Sequence, residues 1–145
     1  MIEKNKKKST EPEIFFDRAD ERIARAAKGL IFISETDAPM EPFRWKKANE
    51  VTAGVVREMT GIDADSPAEE ADADDFFSKL TVKKEWFGER EIERAERFAE
   101  LYTELRSDLR DLRMFRFGRV QVSIYIVGID AEGYLAGVMT KAVET

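Results

Sequence analysis

The strongest constraint on the fold lies near the end of the chain, where "RVQVSIYIVGI" (residues 119–129) and "YLAGVMTKAVE" (residues 134–144) flank a short turn at residues 130–133. Two runs rich in β-branched and aromatic residues, separated by a turn with Asp130 and Gly133, predict an antiparallel hairpin. In the first run Val120, Val122, Ile124 and Ile126 alternate with Gln121, Ser123 and Tyr125, whereas the second run is apolar on both parities. A strand apolar on both sides needs cover on both faces. Helical patterns precede the hairpin, so the economical architecture is α+β: a small, mainly antiparallel sheet clasped by helices in a three-layer α-β-α sandwich.

Those upstream patterns can be placed in turn. Thr10 to Glu13 has the form of a capping box with Pro12 in the first turn, and Phe16, Ala19, Ile23, Ala26, Ala27 and Leu30 recur at helical spacing. They predict a helix over residues 11–28, stopped by Gly29. Residues 30–45, "LIFISETDAPMEPFRW", begin apolar, but Pro39 and Pro42 interrupt regular pairing, and a loop with strand-like ends is expected. Val51, Val55, Val56 and Met59 predict a second helix over residues 49–59, closed by Gly61. Residues 63–75, "DADSPAEEADADD", hold acids and no base; they read as a solvated loop feeding the N-cap of a helix at "DDFFSKL", with a binding surface as the alternative. The longest pattern, residues 89–112, puts Ile92, Ala95, Phe98, Tyr102, Leu105, Leu109 and Leu112 on one face and pairs such as Glu93 with Arg97 on the other. It predicts a single long helix.

A length of 145 residues predicts one domain, over residues 11–145, after a disordered lysine-rich arm at residues 1–10. The net charge is −6, yet Lys4, Lys6, Lys7 and Lys8 against Glu3 make the first eight side chains +3, leaving −9 for the rest. An acidic body repels nucleic acid, and the arm has no aromatics to stack on bases, so no nucleic-acid partner is expected. Polar residues 9–13 follow the lysines where a secretory signal requires an apolar core, and no run approaches the roughly 20 residues that span a bilayer. No membrane partner is expected either.

The residue chemistry argues against catalysis. The chain has no cysteine and no histidine. That excludes disulfides, thiolate nucleophiles, thiolate zinc sites and the usual general base near neutral pH. Ser34 and Ser123 have no histidine to activate them, and no glycine-rich phosphate loop or metal-loop spacing occurs. Carboxylates such as Glu35 and Asp37 retain the chemistry to bind magnesium, but nothing in their spacing selects them. The expectation is a protein that is not an enzyme and has no cofactor of its own.

Several fragments, taken in order, add to this. "GLIFISETDAP", "PFRW", "DDFFSKL" followed by Trp86, "GRVQVSIYIVG" and above all "GYLAGVMTKAVET" resemble the nuclease A inhibitor family, small proteins that block a sugar-nonspecific, magnesium-dependent nuclease. The likeness extends over about residues 26–145. It implies the same three-layer sandwich, and a cytoplasmic inhibitor that shields the cell's own nucleic acids. It also implies a metal bridge in which Thr145, preceded by the shared Glu144, reaches a magnesium supplied by the partner nuclease. Glu35 matches an interface glutamate of the family's S-E loop, and Trp86 matches a docking tryptophan. Lys84 stands where the resemblance leads to a neutral amide, a departure that implies weaker binding or a different cognate nuclease. Two other readings stay open: a binding module of the same fold with an unrelated partner, and a magnesium hydrolase built on carboxylates alone.

Overall fold

The computed structural model describes residues 18–145. The expected lysine arm, the capping box and residues 11–17 of the expected first helix lie outside the described residues; the described helix starts at Ala19, not before, because Arg18 is extended and serves as its N-cap, with its amide on Glu21 Oε1 at 2.9 Å. Among the described residues the chain runs α1 (Ala19–Ala27), β1 (Ile31–Ile33), β2 (Asp37–Pro39), β3 (Glu41–Lys47), α2 (Ala53–Thr60), β4 (Ala68–Ala71), α3 (Ala73–Thr81), α4 (Glu89–Asp108), β5 (Arg110–Phe117), β6 (Gln121–Ile129) and β7 (Tyr134–Val143). The five strands β3-β7-β6-β5-β4 form one antiparallel sheet in that order, and β1 pairs with β2 in a separate two-stranded sheet. No helix among the described residues is long and apolar enough to cross a membrane.

The expected hairpin is present as β6 and β7, in register from Gln121 opposite Val143 to Ile129 opposite Leu135. Alternate side chains enter different cores, as strand geometry requires. Val122, Ile124, Ile126, Ala136, Val138 and Ala142 pack with Ile23 of α1, Phe77 of α3 and Phe98, Leu101 and Leu105 of α4. The opposite parity, Tyr125, Val127, Ile129 and Leu135, packs with Val51 and with Val56 of α2. The sheet is thus covered on both faces, giving the three layers expected. Burial of each large side chain contributes about 1.5–3 kcal/mol of transfer free energy, so the two apolar parities of the hairpin drive closure of both layers.

Four further boundaries differ from expectation. Residues 30–45 form three strands, not a loop. Pro39 lies in the two-stranded sheet and Pro42 in β3, the outermost strand of the large one, and an edge is where a missing amide hydrogen costs least. The second helix begins at Ala53 because Thr52 is its cap, accepting the Val55 N–H at 3.1 Å. The acidic segment contains β4 before Asp72 caps α3 by accepting the amides of Asp74 and Asp75. The long helix ends at Asp108, not Leu112; residues 110–117 join the sheet, and Phe115 and Phe117 are buried on the α2 side. The ladder with β6 together with this second core outweighs the helical spacing of Leu109 and Leu112. The expected glycine stops both hold, with positive φ at Gly29 and Gly61.

Candidate functional site

The chain past β7 is held on two sides. Glu144 donates its amide to the Val120 carbonyl at 2.8 Å, and Arg116 Nη2 donates to Glu144 Oε1 at 2.5 Å. On the other side lies the bend between β1 and β2. There the Val143 amide donates to Ser34 Oγ at 3.1 Å, and the Glu35 amide donates to the Val143 carbonyl at 3.4 Å. Ser34 is itself fixed by donating its amide to the Thr36 carbonyl at 2.8 Å. β1 and β2 are only three residues each, so they serve as a short arm that carries this bend to the last strand.

At its tip the bend closes on the final residue. Thr145 donates its amide to Glu35 Oε2 at 2.8 Å and its hydroxyl to Glu35 Oε1 at 2.8 Å. Both residues are exposed. The Thr145 amide, and after it the Thr145 hydroxyl, hold the Glu35 carboxyl below its ordinary pKa, so the contact is with an ionised carboxylate. Since a carboxylate only accepts, the hydroxyl must be the donor, and its oxygen lone pairs remain free to meet another group.

The connection between α3 and α4 presents the other two expected residues. A turn closes with Phe87 N–H on the Lys84 carbonyl at 3.0 Å, and Lys83 is tied to Glu96 of α4 at 2.8 Å. Trp86 projects from this turn and is 72% exposed, with Phe87 edge-on at 4.8 Å and Lys84 Nζ 5.9 Å from its ring centroid. No bond joins Trp86 or Lys84 to Glu35 or Thr145 among the described residues. A groove of about 150 Å³ between β1, α3 and α4 is lined by Ile31, Ile33, Val82, Phe87, Ala95 and Phe98, and none of Glu35, Lys84, Trp86 and Thr145 lines it.

The exposed large hydrophobic residues among those described are Ile33, Val82, Trp86 and Val120. Ile33 precedes Ser34, Val82 shares the groove with Ile33, and Val120 accepts the Glu144 amide. Larger concavities of about 420 and 850 Å³ run beside β4 and β5 and are lined by paired charges such as Arg113 with Glu70. Among the described residues no group of three or more histidine, cysteine, aspartate or glutamate side chains converges as a metal cage.

A family model described as nuclease A inhibitor-like protein matches residues 17–145. The chain belongs to the nuclease A inhibitor-like family. Family membership suggests a nuclease-inhibitor role, and the match contains Glu35, Lys84, Trp86, Glu144 and Thr145. A comparison with curated proteins gives no match. For this nuclease A inhibitor-like chain, sequence reasoning had missed Ser34, Arg116 and Val120. Ser34 was legible only as the neighbour of Glu35. Arg116 and Val120 required knowing that residues 110–117 are a strand.

Proposed function

We propose that this chain inhibits a magnesium-dependent, sugar-nonspecific nuclease by inserting Thr145 into its active site. The observation that carries this reading is the clasp between Glu35 and Thr145 in a family member, with exposed Ile33 two residues before Glu35 and exposed Val120 bonded to Glu144. Magnesium is a hard cation that takes oxygen ligands, and the Thr145 hydroxyl keeps its lone pairs while its hydrogen is engaged by Glu35. A free carboxylate on Thr145 would add anionic oxygen beside the neutral hydroxyl. A phosphodiester offers the same kind of oxygen to the metal, so the tail occupies the substrate's place.

Ordering the tail before binding lowers the entropy lost on insertion. The ladder from Val143 to Ser34 and the clasp at Glu35 supply that order. Glu35 also supports docking with its charge, and Trp86 supplies an exposed anchor, the residue type most enriched among interface hot spots. The acidic balance of −6 suits a partner whose groove must be basic to hold nucleic acid. In this reading the magnesium comes with the nuclease, residues 11–145 act as one inhibitory domain, and the protein works in the cytoplasm of the cell that makes the enzyme.

A second reading, a binding module of the same fold with a different partner, is favoured by Lys84, whose ammonium caps the Trp86 ring. A cation there opposes a groove built for phosphate. Titration of a purified sugar-nonspecific nuclease separates the two. The intact chain should inhibit at stoichiometric concentrations, while deletion of Thr145 or extension beyond it should weaken inhibition at least tenfold. Equal inhibition by all three would overturn the tail mechanism.

A further inference from the structure

Arg116 lies on β5, opposite Ile124 of β6 and Glu69 of β4. By strand alternation it shares the face of Met114, whereas Phe115 and Phe117 point to the other core. Its guanidinium, 22% exposed, reaches past the start of β6 to Glu144, with Nη2 2.5 Å from Oε1, and its Nε stands 3.7 Å from Glu69 Oε1. Glu144 is therefore committed within the chain. Its carboxylate faces Arg116 and its amide faces Val120, while the next residue is held by Glu35.

These contacts divide the labour at the tail. Glu35 holds the last residue from the β1–β2 side, and Arg116 holds the residue before it from the β5 side. A tail anchored on one side only can still swing about its backbone; anchored on both, it presents Thr145 in one direction. Arginine suits the second anchor because its planar fork can meet two carboxylates and stays charged at all working pH values.

We propose that Arg116 is a positioning residue for the C-terminal tail, acting through Glu144 to fix the direction in which Thr145 leaves the sheet. The purpose of that order rests on the inhibitor reading, but the order itself is a property of the free chain. It assigns Glu144 to the inhibitor's own architecture instead of to contact with the partner.

The test uses the full chain with Arg116→Met, which keeps an apolar stem, with Glu144→Gln, and with both together, plus Arg116→Lys as the conservative variant. Steady-state ¹⁵N{¹H} NOE values at Glu144 and Thr145 should match those of β7 in the parent and fall in Arg116→Met and Glu144→Gln. The double variant should be no worse than either single one, since each removes the same contact. Arg116→Lys should recover part of the order. Thermal midpoints should stay near that of the parent. Against the nuclease of the titration above, each single variant should weaken inhibition roughly fivefold, the most an exposed ion pair supports.

Unchanged NOE values in Arg116→Met would overturn the proposal. So would additive losses in the double variant, or a large fall in melting temperature with the tail no more mobile than the sheet. If tail order depends on Arg116 while the parent inhibits no sugar-nonspecific nuclease, the positioning role stands and the inhibitor reading fails.

Discussion

Thr140 sits in β7 with its hydroxyl buried and without a hydrogen-bond partner among the described residues. Its parity is that of Val138 and Ala142, on the side of α1, α3 and α4. An unsatisfied buried hydroxyl costs desolvation with no return, so Thr140→Val, which keeps the shape, should stabilise the fold by about 1 kcal/mol in urea denaturation. A loss of similar size would show that the hydroxyl has a partner. Glu35 supplies a pH test at the same scale. Its carboxyl is held below the ordinary range by Thr145, so the clasp contributes fully above the unfolded glutamate pKa of about 4.3 and is lost as pH falls through the lower folded value. The Thr145 amide shift, followed by NMR, should therefore titrate with a midpoint below about 4.3; a midpoint above that value would mean the clasp is not formed in solution.

The β6–β7 turn is an element whose chemistry can be read in full. Asp130 is buried, which opposes its ionisation, yet the Tyr134 amide, the Arg44 guanidinium at 2.9 Å and the Glu132 amide together hold its carboxyl below the usual value. Its stabilising effect is therefore present above pH ~3.9 and lost as pH falls through the lower folded pKa. Asp130→Asn should cost about 1–3 kcal/mol at neutral pH and flatten the acid limb of the stability profile. Across the same hairpin, β7 passes close to β6 at Gly137, where an added Cβ would strike the Ile126 carbonyl oxygen. Gly137→Ala should thus cost more than about 2 kcal/mol with an unchanged m-value in urea. The hairpin was legible because both of its parities are apolar. β4 was not, since "AEEA" on an edge has nothing to distinguish it from a solvated loop, and β5 was hidden because Leu109 and Leu112 extend the helical period of α4. Pro39 and Pro42 misled for a third reason: they break central strands but not edges.

At the scale of the whole molecule, the cores lie on the two faces of one sheet, while Ile33, Val82, Trp86 and Val120 stay exposed outside them. Stability and binding should then separate. Trp86→Ala, at a site 72% exposed, should change unfolding free energy by no more than about 0.5 kcal/mol while weakening nuclease binding by about 2 kcal/mol, measured by calorimetric titration. The candidate site was partly legible in advance. Glu35 and Thr145 were named from resemblance, 110 residues apart in sequence, but their contact could be known only once β1 and β2 were seen to carry the bend to β7. Resemblance also marks Trp86 and Lys84, which lie on the α3–α4 connection and form no bond with Glu35 or Thr145 among the described residues. The most direct test of the central claim is a crystal structure of the chain bound to a sugar-nonspecific nuclease with magnesium present. An oxygen of Thr145 at about 2.0–2.1 Å from the ion is the predicted result. A metal whose ligands come only from the nuclease and water, with Thr145 in bulk solvent, would contradict it.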